Sequence, residues 1–392
     1  ALAKAPLIHA GCGNNLFEFP AVISLCKLFI TSDTLGLHIA LALKRKTIAL
    51  FGPTSANEIE IYNLGKKIIS KSKCYCCYKS DCKAIELINV NEIIKEVKSL
   101  IKEKISIIIT SFKEPNLENA IKSIINQNIN YNHETILLAP DKEAEMLAKK
   151  YNIIYFKDFG KGKSFAINRL LKKLKSDILI FTDGDVYVDN NSINKIMDLF
   201  KDPLIGVVSG RVVSTKKKNN KFGYWSHLLA DAGAHKIRKK LFNQSRFLEC
   251  TGYLFAFRNK IIKEFPLDVA EDSIIPYMFY IKNYKIGYAE KALVHVKNPN
   301  NFSDWLKQRK RTAKAHETLT KYYPNFPRVK SFWNEAKIGF FWALSYPRTI
   351  KEMYWTILLF FARSYMWLLA LSESKLFKRY YQDAWERVSS TK

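Results

Sequence analysis

A chain of 392 residues with 48% hydrophobic content is long enough to bury two or three cores, which excludes a disordered or fibrous protein. Its 63 Lys and Arg against 36 Asp and Glu leave a formal charge of +27, which calls for an acidic partner: nucleic acid, an anionic membrane surface or a phosphorylated substrate. Much of the lysine excess lies beside isoleucine and asparagine along the whole chain, so only local clusters carry a functional reading.

Seven cysteines are present, with Cys74, Cys76, Cys77 and Cys82 crowded together and Cys12, Cys26 and Cys250 scattered through apolar sequence. An odd number, uneven spacing and no secretory signal argue against a disulfide framework and for a reducing, cytosolic compartment. The chain opens Ala1-Leu2-Ala3 without a methionine and enters directly into a patterned segment, which reads as the interior of a longer polypeptide.

In chain order, the first hundred residues alternate strand-like and helix-like stretches. A strand is expected over 28–32, a helix around 38–43 and a strand over 47–51, followed by Gly52-Pro53-Thr54-Ser55. A charged helix over 91–104 closes the unit. Such alternation with short loops implies a parallel sheet covered by helices. A second series follows, with strands at 105–110, 134–139, 153–156 and 177–182 and helices near 116–127, 142–150 and 163–173. From about residue 305 a basic stretch leads into aromatic-rich apolar sequence. Residues 353–372 carry one charge, Arg363, over a length that spans a bilayer. A central arginine costs roughly 2.5–3.5 kcal/mol on insertion scales, and Thr356 shares its helical face. The segment therefore reads as an interfacial helix, a single span, or a helix packed on the preceding domain.

The strand over 177–182 exits into Asp183-Gly184-Asp185. Two carboxylates on one tight turn can share a divalent cation and the diphosphate it neutralises, which is the chemistry of nucleotide-sugar transfer; a solvated turn is the alternative. The first strand of the series opens into Ser111-Phe112-Lys113-Glu114, where a base and ribose dock in an open parallel sheet. Upstream, Gly160-Lys161-Gly162-Lys163 enters a helix and either favours a phosphate or is a plain turn. Further on, Glu271-Asp272 precedes a helical run over 274–282. A helix cap explains Asp272, and so does a general base that takes a proton from an acceptor hydroxyl. Last, Asp304 to Arg311 is either a solvated basic helix or a lid in which Arg311 steadies a diphosphate leaving group while Gln308 and Trp305 border the acceptor.

In this order, "ISIIITSFKE", "GKGKSFAINRLLKKLKSDILIFTDGDVYVD", "CTGYLFAFR", "AEDSIIPYMFY" and "DWLKQRKR" resemble glycosyltransferase family 2, the inverting GT-A enzymes, over about residues 104–320. The resemblance implies a Rossmann-like nucleotide-sugar domain, a donor such as a UDP-sugar, and Mg²⁺ or Mn²⁺. It places Glu114 and Asp141 near the nucleotide, Lys163 near phosphate, Asp183 near the ribose or metal, and Asp185 on the metal. Glu271 lies at the donor, Asp272 is the base, Gly252 lies near the acceptor, and Gln308 and Arg311 match a Gln-x-x-Arg motif. The tryptophan usual after that arginine is Thr312 here, so the resemblance does not carry processive polymer synthesis with it. The segment Leu138-Ala139-Pro140-Asp141 lacks the usual Asp-rich turn.

The earlier stretch "TSDTLGLHIALALKRKTIALFGPTS" is similar to the carboxyl-terminal half of glycosyltransferase family 9, the GT-B heptosyltransferase group. By that likeness Asp33, His38 and Thr54 face a nucleotide sugar, although His38 alone would read as an ordinary helix histidine. The family's donor pocket lies between two lobes and the likeness covers one, so this half is expected to be inactive by itself. Cys74-x-x-Cys77 with Cys82 raises zinc, but a fourth ligand requires Cys76, whose adjacency to Cys77 is awkward for a tetrahedral site. A similar Cys-rich loop occurs in family 9 at this position.

The expected architecture is α/β: a partial GT-B lobe over 1–103, a GT-A domain over 104–320, and a helical, membrane-associated region over 321–392. The expected function is metal-dependent inverting transfer to a surface glycan or lipid-linked acceptor at the cytoplasmic side of the cell membrane, peripheral or single-span, with no nucleic-acid partner. The alternatives are a non-catalytic scaffold of a glycan assembly complex and a basic nucleic-acid-binding protein.

Overall fold

The computed structural model describes residues 17–101, 103–324, 340–373 and 389–391. The chain divides into two compact units, residues 1–102 and 103–392. The helix expected over 353–372 is observed as Ile350–Leu371, while residues 325–339, 374–388 and 392 of the expected region 321–392 lie outside the described residues.

The first unit is a three-stranded parallel sheet in the order β1 (Leu28–Ser32), β2 (Lys46–Phe51), β3 (Gly65–Ile69). Alternation along β2 sends Ala49 and Phe51 to one core, with Leu37 and Leu41, and Ile48 to another, with Ile68 and Val97. Strand β3 is not legible as a strand in the sequence, because Lys66 and Lys67 interrupt its apolar pattern. The charged helix is Val90–Leu100, shorter than expected, because Lys104 already belongs to the next strand.

The second unit is built on an eight-stranded mixed sheet. Its strands are β4 (Lys104–Thr110), β5 (Asn132–Ala139), β6 (Ile154–Lys157), β7 (Ile178–Asp183), β8 (Val186–Val188), β9 (Ile205–Ser214), β10 (Leu254–Arg258) and β11 (Lys285–Val296), in the order β6-β5-β4-β7-β10-β9-β11-β8. The first four are parallel, as continuous apolar runs buried on both faces require. Ile105, Ile107 and Ile109 pack on one face with Ile178 and Ile180, while Ile108, Leu179 and Phe181 pack on the other. Burying each such side chain contributes about 1.5–3 kcal/mol. Strand β10 runs antiparallel to β7 and β9, its Phe255 and Phe257 stacking on Phe181 at 5.4 Å.

A third apolar cluster joins the helices Lys221–Ala230, Phe302–Tyr322 and Ile350–Leu371 around Tyr224, Trp225, Trp305, Leu359, Met366 and Trp367. The helix Phe302–Tyr322 runs across the expected boundary at residue 320. The apolar helix is fastened by its polar residue: the Thr356 and Tyr224 hydroxyls lie 2.7 Å apart, and Lys310 and Lys314 pair with Glu373 beyond its end. It is long and apolar enough to cross a membrane, and a third of its apolar window is buried within the protein.

Candidate active site

The site lies at the carboxyl ends of β4 and β7. Their parallel register sets Thr110 opposite Asp183, and the Thr110 hydroxyl donates to Asp183 Oδ1 at 2.7 Å. The glycine between the two acids is required by close packing, because a Cβ at Gly184 would come within 2.9 Å of Ser111 Cβ and 3.0 Å of Leu117 Cδ1. The Asp183-Gly184-Asp185 turn is thereby seated on the loop that leaves β4.

Asp183 is joined to a distant segment by a buried ammonium. Lys163, one residue past Gly162 at the start of the helix Lys163–Leu171, places Nζ 2.7 Å from Asp183 Oδ1 and 2.6 Å from Glu271 Oε1. The lysine side chain is 14% exposed and that of Glu271 only 6%. Burial disfavours the ammonium, yet the two carboxylates outweigh it and hold the Lys163 pKa well above its ordinary value. Lys163, expected near a phosphate, is paired here with the two carboxylates.

Glu271 and Asp272 open the helix Glu271–Tyr280, whose cap residue is Ala270 and uses no side-chain bond. Asp272 is not the cap residue itself but the second residue of the helix, an acid in its first turn. Its Oδ2 would lie 3.1 Å from a Cβ placed on Gly252, so the Cys250-to-Tyr253 segment runs against the Asp272 carboxylate. That segment is anchored beside the acidic turn, because the Thr182 hydroxyl donates to the Tyr253 carbonyl at 2.9 Å and Leu254 pairs with Thr182.

Sequence reasoning did not single out Tyr253. Its hydroxyl accepts from Gln308 Nε2 at 3.4 Å, and burial, followed by the Asp185 charge, pushes its pKa up to about 12 against the opposing influence of Arg309 and Arg311. Tyr253 thus links the acidic turn to the basic helix, which carries an exposed Arg311. Trp305 takes no part: it is buried against Trp225 at 5.3 Å, so it does not border an acceptor. An aromatic on an amphipathic basic helix reads equally as core or as site, and the sequence does not distinguish them.

Asp141 caps the helix Lys142–Lys150 through Ala144 N at 3.0 Å and accepts from Lys113 N at 3.1 Å, fixing the loop that carries Glu114. Glu114 lies close enough to influence Asp185. Although solvent reaches Asp185, withdrawal from bulk water and then the charges of Asp183 and Glu114 raise its carboxyl to about 7. This excess of negative charge, made of hard oxygen donors, fits a divalent cation of the Mg²⁺ or Mn²⁺ type. No three described acids bring ligand oxygens within 4.8 Å of one another. The fit is to a cation held by one or two carboxylates and completed by substrate oxygens. Ser111 Oγ and Gln308 Oε1, both buried, have no hydrogen-bond partner among the described residues.

A carboxyl whose folded pKa exceeds its unfolded value of about 3.9 stabilises the native state as pH falls from 7 towards 4, and that stabilisation is lost above 7. Solvent access reduces the penalty at Asp185 to about 1 kcal/mol. Asp185→Asn should therefore raise the metal-free melting temperature by about 2–4 °C at pH 7.5 and by less at pH 5 in differential scanning calorimetry. An unchanged or lower value at pH 7.5 would show that the acidic turn holds no such strain.

In the first unit, Asp33 follows β1, His38 lies on the helix Leu35–Ala42 and Thr54 follows β2, all at the carboxyl edge of the parallel sheet. Asp33 Oδ1 and His38 Nε2 are 4.0 Å apart.

Residues 106–265, which contain the acidic turn and Tyr253, match the family model described as Glycosyl transferase family 2. Over this stretch the chain is similar to glycosyltransferase family 2. Residues 12–87 match Glycosyltransferase family 9 (heptosyltransferase). The chain is similar to the O-antigen chain rhamnosyltransferase RfbN of Salmonella typhimurium, 26% identical over 213 residues, covering 49% of this chain and 65% of that protein. It is also similar to an N-acetylglucosaminyltransferase of Azorhizobium caulinodans, 21% identical, with 40% and 43% covered. A poly-beta-1,6-N-acetyl-D-glucosamine synthase of Staphylococcus aureus is 22% identical, with 59% of each covered. The chain thus spans 43% to 65% of the length of these relatives. Among solved structures, glucosyl-3-phosphoglycerate synthase of Mycobacterium tuberculosis in complex with Mn²⁺, UDP and glucosyl-3-phosphoglycerate matches at 16% identity and TM-score 0.40, over 58% of this chain and 83% of that one. Staphylococcus aureus TarS 1–349 matches at 15% identity and TM-score 0.37, over 71% and 93%.

Proposed function

We propose that the chain is a metal-dependent inverting glycosyltransferase that moves a sugar from a nucleotide-sugar, of the UDP type, to a surface glycan or lipid-linked acceptor. The observation that carries this reading is the Lys163 bridge, which ties Asp183 to Glu271 and so brings the Asp272 segment to the exit of the acidic turn. Asp185 and Asp183 would hold the cation, which neutralises charge on the donor diphosphate. Asp272 takes the proton from the acceptor hydroxyl as its oxygen bonds to the anomeric carbon, and the bond from that carbon to the diphosphate breaks on the opposite side. Arg311 stabilises the departing diphosphate, while Gln308 and Tyr253 position the helix that carries it. Glu114 and Asp141 shape the nucleotide end of the cleft.

The polymer-building relatives support a cell-envelope glycan as acceptor. The helix Ile350–Leu371 supports a membrane-surface location: Tyr354, Ile357, Phe361, Tyr365 and Leu368 are exposed on one side, while Thr356, Leu359 and Met366 pack on protein from the other. One packed face suits a helix lying along the bilayer better than one surrounded by lipid. On the likeness to family 9, Asp33, His38 and Thr54 mark a donor-binding half site within a partial GT-B lobe. The test of the whole reading is donor turnover that requires a divalent cation.

A further inference from the structure

The cysteine-rich loop of the first unit belongs to none of the chemistry above, and its geometry is specific. The Sγ atoms of Cys74, Cys77 and Cys82 all lie within 4.8 Å of one another, the one such ligand cluster among the described residues. Cys74 Sγ and Cys82 Sγ are 3.7 Å apart, far beyond the roughly 2.05 Å of a disulfide. Zinc–sulfur bonds of about 2.3 Å in tetrahedral array place neighbouring sulfurs about 3.8 Å apart. Cys76, whose adjacency to Cys77 made a four-cysteine site awkward, is removed from the set by the backbone. Its φ of 59° turns it away, and its Sγ lies 3.8 Å from the Thr54 carbonyl instead.

We propose that Cys74, Cys77 and Cys82 bind one zinc ion whose fourth position is filled by water or another small ligand. Three soft thiolates exclude Mg²⁺ and Ca²⁺, and zinc needs no redox partner to remain bound. The loop that would be closed by the metal also holds the Gly52-Pro53-Thr54 turn: Cys76 N donates to the Gly52 carbonyl at 3.1 Å and Tyr78 N to the Pro53 carbonyl at 2.8 Å. Zinc therefore staples this turn, and its loss releases residues 72–82 and the turn together.

The experiment uses the full chain, expressed with zinc, purified under reductant and desalted, with metal content read by inductively coupled plasma mass spectrometry. About one zinc per chain is expected, falling at least fivefold in Cys74→Ser and in Cys82→Ser and staying unchanged in Cys26→Ser. A zinc-selective chelator should speed tryptic cleavage at Lys73, Lys79 and Lys83 in the wild type. It should not do so in Cys82→Ser, where those sites are already open. Wild-type protein that holds less than a tenth of an equivalent after zinc loading overturns the proposal. So does a Cys74→Ser, Cys77→Ser, Cys82→Ser triple variant that is folded by circular dichroism and retains the wild-type zinc. Peptide mapping that finds a Cys74–Cys82 disulfide under the same reductant also overturns it.

Discussion

Asp272→Asn should lower sugar transfer by about 10²- to 10⁴-fold at saturating acceptor while leaving the dissociation constant for UDP within about threefold of wild type. The asparagine keeps the shape of the side chain but removes the basic oxygen pair, and the residue lies against Gly252. Donor binding and proton removal are thus separable by rapid-quench transfer assays and calorimetry on the same preparations. A variant within tenfold of wild-type rate would remove Asp272 as base. Parallel loss of UDP affinity would instead make it part of the donor pocket.

Lys163→Met should destabilise the second unit by about 3–5 kcal/mol, because it removes the cation from a buried pair and leaves Glu271 charged and enclosed. Methionine preserves most of the aliphatic stem, so lost packing is a minor part of the effect. The internal reference is Lys172→Met: its partner Glu264 is 3.4 Å away and both side chains are about two-thirds exposed, so less than 1 kcal/mol is expected. Urea denaturation of the full chain distinguishes the two, and adding Glu271→Gln to Lys163→Met should recover part of the loss. Equal midpoints for Lys163→Met and Lys172→Met would mean that the bridge does not organise the site.

Much of the central sheet is readable in the chain because β4, β5 and β7 are continuous apolar runs whose two-sided burial leaves no other economical arrangement. The later strands are less so. Strand β8 has three residues, and β11 carries Glu290 and Lys291 within a register shift between Tyr288 and Leu293, so the period of two is broken where it would be sought. The acidic turn is legible for a local reason, since strand, glycine and both carboxylates are contiguous. The Lys163 bridge is not, because it joins residues 20 and 108 positions away and depends on how two helices meet β7. Trp305 illustrates the same limit, and Cys76 the converse, where a single backbone angle decides which thiols converge.

The central claim is that the acidic turn holds a cation-dependent nucleotide-sugar site, and UDP release across a panel of UDP-sugars, with Mn²⁺ or with EDTA, tests it most directly. Wild-type chain should release UDP from at least one donor with Mn²⁺, lose at least 100-fold of that rate in EDTA, and lose it equally in Asp185→Ala with Mn²⁺ present. Turnover that persists in EDTA, or that is undiminished in Asp185→Ala, would contradict the account.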